Sequence, residues 1–378
     1  MSARRKWLSC AVLVSLVIPL SQAQAADSGY VIEHFPILEA LQAQGVALAP
    51  QTLHWMKKWQ GLNLEDPSLS FPDLGGATSI TMKIRKADPT DPQNSKSLGA
   101  FVPRNGAGNP NTGIAYFNMS AIVGYDAIFR PGVRYEAGPR AVQALHALIL
   151  STPTKGRDRL QNRDRILQNI AKGGRLNGYI KTGKPDGISI DAIGNPGASP
   201  NGAPKMNHPI IAFLQANNPK PKTGTPITLA NGYSGDQLEL AREYSVIMTL
   251  DAVFQQWDRY SGANTLLTKD DAGQAHFYAV DSDGSDIAVS PSWTVRNLSW
   301  FSRYDRKTIN RLKEVYAFLN NPASGFLGYT DAEKFIVDLG LYFENPPAVY
   351  VSRIKRNLGL LLERVNSIEA KYGDAAYL

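Results

Sequence analysis

Residues 244–290, YSVIMTLDAVFQQWDRYSGANTLLTKDDAGQAHFYAVDSDGSDIAVS, hold the pattern on which the fold turns. Tyr244, Ile247, Met248, Leu250, Val253, Phe254 and Trp257 recur at helical spacing, as on one buried helix face. The pattern stops at Asp258-Arg259, and Ser261-Gly262-Ala263-Asn264 has the composition of a turn. Two apolar runs, 265–268 and 276–280, flank the polar turn Lys269-Asp270-Asp271-Ala272-Gly273 and read as a hairpin. The second run ends in Asp281-Ser282-Asp283-Gly284. An Asp after a buried helix and a second Asp at the end of the next strand can face one cleft. Phosphoryl transfer needs such a pair: one carboxylate to position the attacking hydroxyl and one to hold Mg²⁺.

Upstream, residues 37–48 and 52–62 show helical spacing, 67–76 read as a loop, and 78–86 alternate as a strand. Residues 98–102 and 114–119 read as further short strands separated by a turn at 105–113. Residues 138–150 form an amphipathic helix with Pro139 in its first turn, and His146 within it reads as a buried, satisfied histidine. The charge-alternating run 155–165 reads as a solvated helix face. Residues 173–226, rich in Gly, Pro, Asn and Lys, read as a long insertion or interlobe linker, a length that is often functional. Ser234 with Gln237 reads as a capping box for the helix that runs on to Trp257, and Thr330 with Glu333 as another. Residues 305–319, 330–341 and 347–372 have helical periodicity, with Arg353, Lys355, Arg356 and Arg364 as the wet face of the last helix.

The series Asp251-x6-Asp258-Arg259-x2-Gly262-x-Asn264, then an apolar strand and Asp281-x-Asp283-Gly284, resembles the catalytic core of atypical kinases. These are the phosphoinositide-kinase-like group, HipA-type kinases and secretory-pathway kinases. The resemblance covers the motif region and implies an α+β, two-lobed kinase-like fold with a small antiparallel-sheet N-lobe and a mainly helical C-lobe. It implies Asp258 as the catalytic Asp, with Asn264, Asp281 and Asp283 as candidate ligands of Mg or Mn bound with ATP. Asp258 and Asn264 stand six apart, one more than those families use. Asp281 is the favoured metal ligand of the two acids because it directly follows the strand. The lysine that pairs ATP phosphates often lies in a strand end such as F-K-P. Phe101-Val102-Pro103-Arg104 resembles that strand end with Val102 where Lys would stand, which leaves Arg104 or Lys83 as the substitute cation. Gly75-Gly76 is the candidate nucleotide-covering turn, and Glu136 the nearest acid to ion-pair the lysine.

Residues 1–25 read as a cleavable signal peptide: Arg4-Arg5-Lys6, an apolar stretch over 7–20, and Ala23-Gln24-Ala25. The expected location is the periplasm or outside the cell. Removal of those three basic residues lowers the formal charge from +7 to +4, which does not argue for nucleic acid. The sole cysteine, Cys10, leaves with the leader, so disulfides and thiolate metal sites are excluded. No segment of the mature chain is apolar enough to span a membrane. The expected organisation is 26–150 as N-terminal helices and sheet-rich N-lobe, 151–233 as Gly/Pro-rich insertion or linker, and 234–378 as helical C-lobe with the catalytic-type hairpin.

Other chemistries find less support. There is no G-x-S-x-G elbow, and His34, His54, His146, His208 and His276 show no metal-ligand spacing. The acidic loop also resembles a calcium loop, but an EF-hand needs an acid at its twelfth position, which is Ser292. Two functions stay open at the sequence level. One is an exported phosphotransferase acting from a nucleotide on a protein, lipid or sugar hydroxyl. The other is a catalytically inactive, pseudokinase-like binding protein of the envelope. The periplasm is not supplied with ATP, so an active enzyme would need delivery into another compartment, such as another cell.

Overall fold

The computed structural model describes residues 30–75, 79–87, 95–105, 109–173, 175–189, 194–195, 202–260, 264–284 and 287–378. The leader with Cys10, Gly76 and the turn 261–263 lie outside them. In chain order the elements are α1 (Pro36–Ala43), α2 (Pro50–Trp59), β1 (Leu69–Ser70), β2 (Leu74–Gly75), β3 (Thr81–Lys86) and β4 (Lys96–Pro103). There follow α3 (Pro110–Val123), β5 (Gly132–Ala137), α4 (Pro139–Ser151), α5 (Arg157–Ala171), β6 (Leu176–Lys181), β7 (Ile188–Ser189), β8 (Gly194–Asn195) and β9 (Ala203–Pro204). The second half runs α6 (Pro209–Phe213), β10 (Pro226–Ala230), β11 (Tyr233–Asp236), α7 (Gln237–Val253), β12 (Thr265–Lys269), β13 (Ala275–Ala279), α8 (Ser292–Ser299), α9 (Arg306–Asn320), α10 (Ala332–Leu339) and α11 (Pro347–Tyr372). The fold is α+β: an antiparallel sheet dominates the first half and helices the second.

The main sheet has the order β1-β3-β4-β6-β5, with β2 also on β3. Its registers place Lys83, Ala100, Lys181 and Gly132 in one cross-strand row. Residues directly opposite one another share a sheet face. The alternate row, Met82, Phe101, Ile180 and Val133, is buried in the main apolar core. On the charged-row face, Val102 and Tyr179 meet Ile114 of α3 in a small apolar cluster joined by Tyr342. Gly113 makes that approach feasible, since a Cβ there would lie 3.0 Å from the Tyr179 ring.

Three expectations fail here. Residues 114–119 are not a strand: they are the middle of α3, capped by Asn109, whose Oδ1 accepts from the Asn111 amide, and by Gly124 at φ 83°. All fourteen residues of α3 are buried, so its sequence has no polar face to betray the helical period. The stretch 173–226 is not simply an insertion, because β6 within it is a central strand of the main sheet and β7 extends the β12–β13 hairpin. Third, His146 is exposed, while Ala141, Leu145 and Ile149 form the buried stripe of α4.

The helical half follows the periodicity closely, with corrected caps. Asp236 Oδ1, not Ser234, caps α7 by accepting from the amides of Leu238 and Glu239. Asp331, not Thr330, caps α10. The last helix is not simply wet on its basic side: Arg353 donates to the Ile287 carbonyl at 2.8 Å and Arg356 to that of Ala288 at 3.1 Å. No helix among the described residues is long and apolar enough to cross a membrane.

Candidate active site

The site is built where α7 ends. Its last carbonyls are buried and need donors. Asn297 of α8 donates to Asp251 at 3.1 Å, Thr294 to Ala252 at 2.8 Å, and Asn357 of α11 to Val253 at 2.9 Å. The chain then turns through Gln255 at φ 58° and comes back on itself at Arg259. Arg259 forks onto Asp251, Nε to Oδ2 at 2.9 Å and Nη2 to Oδ1 at 2.8 Å. Its Nη1 donates to the carbonyls of Asn264 at 2.6 Å and Val280 at 3.0 Å. Asp251 also accepts from Tyr116 of α3 at 3.0 Å. Burial works against the Arg259 charge, but Asp251 beside it more than restores it, holding the guanidinium above its ordinary pKa. One arginine thus ties the helix to both ends of the β12–β13 hairpin. A buried pair like this is costly to break by removing one partner, about 3–5 kcal/mol.

That staple sets two loops face to face. Asn264 Nδ2 donates to the Asp258 carbonyl at 2.8 Å and to its Oδ2 at 3.2 Å. Gln256 bridges the loops: its Oε1 accepts from the Asp258 amide at 3.0 Å and its Nε2 donates to the Asp281 carbonyl at 3.2 Å. Gly284 eases this approach, for a Cβ there would lie 3.3 Å from Asp258 Cβ and 3.5 Å from its Oδ2. Burial, and then the nearby Asp281 and Asp283, push Asp258 up to about 6, against the opposing pull of Asn264 and Arg259.

The acidic loop is held by cations from the sheet. Asp283 is buried; Lys181 Nζ donates to its Oδ2 at 3.2 Å, and its carbonyl accepts from the Asn109 amide at 2.9 Å. Tyr179 stands two residues before Lys181 on the same face of β6, and burial, with the nearby Asp283 carboxylate, raises its hydroxyl well above the usual range. Asp281 adopts φ 51°, a left-handed conformation that costs a non-glycine residue about 1–3 kcal/mol and clusters at functional sites. Its carboxylate lies 3.4 Å from Lys184, 3.7 Å from Arg130 and 3.8 Å from Lys181. Burial alone would raise its pKa, but Lys181, Lys184 and Arg130 hold it below the ordinary value.

The molecule shows a distant likeness to solved structures of the Golgi casein kinase. A crystal structure of the Golgi casein kinase with Mn/ADP bound aligns with TM-score 0.46 and 12% identity over 80% of this chain and 74% of that one. A second crystal structure of the Golgi casein kinase aligns with TM-score 0.49 and 12% identity over 94% of this chain and 95% of that one. No protein-family model matches the sequence, and no curated protein matches it. The functional reading therefore rests on the residues of this chain.

Of the residues singled out from sequence, Asp258, Asn264, Asp281 and Asp283 come together. The phosphate-binding candidates do not join them. Lys83 is exposed and pairs with Asp73 at 3.0 Å, and two inter-strand spacings, roughly 10 Å, separate its backbone from that of Lys181. Arg104 is committed to Glu344 and to the Asn105 carbonyl. Gly75 lies opposite Thr81, on the sheet face of Lys83. Glu136 pairs with Arg175 rather than with a site lysine. Lys181 reaches the acidic loop beside Lys184 and Arg130, and reading its strand as part of an insertion hides it. The aromatic and β-branched run Tyr179-Ile180-Lys181 was the available signal.

The oxygen donors of Asp281, Asp283 and Asn264 are of the hard type that Mg²⁺ and Mn²⁺ take. Asn264 spends its amide nitrogen on Asp258, which leaves Oδ1 as the ligand atom. Among the described residues no three acidic, histidine or cysteine groups converge closely enough to cage an ion. The donor set fits in chemistry, with lysine ammonium groups close to the carboxylates a metal would bind.

Proposed function

We propose that the chain is an exported, kinase-like phosphotransferase that moves a phosphoryl group from a nucleotide to a hydroxyl acceptor. The carrying observation is the convergence at one point of Asp258, the acidic loop packed against it through Gly284, and a buried lysine bonded to that loop. Asp258 would accept the acceptor's proton on a carboxylate oxygen as the hydroxyl oxygen bonds to phosphorus. The bond from phosphorus to the bridging oxygen breaks, and the diphosphate leaves. With a pKa near 6, Asp258 is a usable base at neutral pH. Lys181 would lie along the phosphate chain. Asp281, Asp283 and Asn264 would hold a divalent metal, which when bound neutralises charge building on the phosphates. The acceptor is a protein, lipid or sugar hydroxyl. The basic leader and apolar stretch of residues 1–25 support export.

The alternative is a pseudokinase-like binding protein of the envelope. It is favoured by the lysine ammonium groups that already pair with the carboxylates a metal would bind. One experiment separates the two. The chain from residue 26 is unfolded thermally with and without ATP plus Mg²⁺ or Mn²⁺, beside Asp281→Ala, and phosphate transfer to mixed acceptors is followed with labelled ATP. A ligand at a hundred times its dissociation constant adds about 2.7 kcal/mol, readily seen as a shift. Metal-dependent stabilisation lost in Asp281→Ala, with label transferred, supports the enzyme. Nucleotide stabilisation with no transfer supports the binding protein, and no response to nucleotide sinks the enzyme and leaves the binding protein in front.

A further inference from the structure

We infer that Arg130, Lys181 and Lys184 form a three-point polyphosphate clamp, so that the cleft ranks ligands by the length of their phosphate chain. The inference deepens the phosphotransferase reading and rests on it for the identity of the nucleotide. It adds two residues, Arg130 and Lys184, to the phosphate-binding set.

The clamp follows from strand register. Gly132 of β5 lies opposite Lys181 of β6. Arg130 precedes Gly132 by two residues, and Lys184 follows Lys181 by three, so antiparallel pairing puts both beyond the same end of the sheet. The Thr182 amide donates to the Pro131 carbonyl at 3.3 Å, and Arg130 Nε donates to the Thr182 carbonyl at 2.8 Å. The turn carrying Lys184 is therefore anchored by the arginine that shares its target.

All three cations converge on one carboxylate, Asp281, at 3.4, 3.7 and 3.8 Å. At 3.7 and 3.8 Å, Arg130 and Lys181 are too far to hydrogen-bond it and act through charge alone. The Arg130 side chain spends Nε and Nη2 on Thr182, so Nη1 has no hydrogen bond among the described residues. Lys184 contacts only Asp281 among them. Asp281 is 37% exposed and Lys184 46%, while Arg130 and Lys181 lie deeper at 13% and 6%, so the cluster opens to solvent on its Lys184 side. Lys181 is bonded to Asp283, so the three cations face two carboxylates and leave one positive charge over. Donor groups left without a bond, on fixed backbone, suit an anion with several charged centres in line. Lys181 is placed for the deepest phosphate and Lys184 for the outermost.

Calorimetric titration of the mature chain with Mn²⁺ present tests this, using adenosine, AMP, ADP, ATP and, separately, orthophosphate and tripolyphosphate. The variant is Lys184→Ala, a solvent-exposed change that leaves the anchored turn intact. Affinity should rise from AMP through ADP to ATP. Lys184→Ala should lower ATP and tripolyphosphate affinity about tenfold or more, the worth of one charge-assisted hydrogen bond, while adenosine and AMP hold. Wild-type protein that binds ATP no better than AMP overturns the clamp, as does an unchanged ratio in Lys184→Ala. Binding of tripolyphosphate that depends on Lys184, without any response to nucleotides, keeps the clamp and removes the kinase reading. If neither ATP nor tripolyphosphate binds, the clamp falls.

Discussion

The segment 251–284 and the strand β6 both supply charges to the candidate site, but they were not equally visible. In the first, the bonds that close the unit on itself are short in sequence. Arg259 reaches Asp251 eight residues back and Val280 twenty-one residues on. In the second, Lys181 meets Asp283 across 102 residues, and its place on the sheet is set by pairing with β4 and β5. A helix–turn–hairpin unit carries its own chemistry in its spacing. A cation delivered by a neighbouring strand has no spacing to announce it.

The largest effect that would break this comparison is at the staple. Arg259→Ala should leave Asp251 charged and buried and lower stability by about 3–5 kcal/mol in urea unfolding. If it costs less than about 1 kcal/mol, the two loops are not held by the arginine. Next comes Lys181→Ala, which leaves Asp283 buried without its ammonium partner and should cost about 1.5–3 kcal/mol. It should also abolish nucleotide stabilisation. Nucleotide stabilisation that instead survives Lys181→Ala and vanishes in Lys83→Ala would return the phosphate role to the residue read from sequence.

A smaller effect concerns pH. Asp258 has its ordinary value of 3.8 in the unfolded chain and about 6 in the folded one. The folded state therefore binds more protons between those values, and wild-type stability should fall as pH rises through that window. The amount is about 1 kcal/mol once solvent screening of this partly exposed group is allowed for. Asp258→Asn should lack this slope, and any transfer activity of the wild type should grow as pH rises through about 6. A flat difference between the two proteins would mean Asp258 is not held in this environment. The smallest effects are expected at the residues displaced from the site: Lys83→Ala should change stability by no more than about 0.5 kcal/mol. Arg104→Ala, which breaks a surface-type pair with Glu344, should cost no more than about 1 kcal/mol.

The misreadings share one cause. Residues 114–119 read as a strand because α3 is buried on all sides, and an apolar run without a polar face has no period to read. Polarity misled in the other direction over 173–226, where the Gly- and Pro-rich surroundings hid a six-residue strand. His146 was judged by its sequence neighbours, whereas its helix turns it outward. The helix caps erred by one or two residues, since Ser234 and Asp236 are both good cap types and only the backbone chooses between them.

Sequence by itself determined the amphipathic helices of the second half, the β12–β13 hairpin and the gathering of Asp258, Asn264, Asp281 and Asp283. The helices and hairpin follow from periodicity and a turn of short span, and the four site residues from the motif that resembles atypical kinases. Tertiary structure alone decided which lysine serves the acidic loop, that Arg130 and Lys184 crowd Asp281, and that Arg259 is a buried tie rather than a surface cation. Those outcomes depend on strand order and on which charges are removed from water together, and neither is encoded in the distance between residues along the chain.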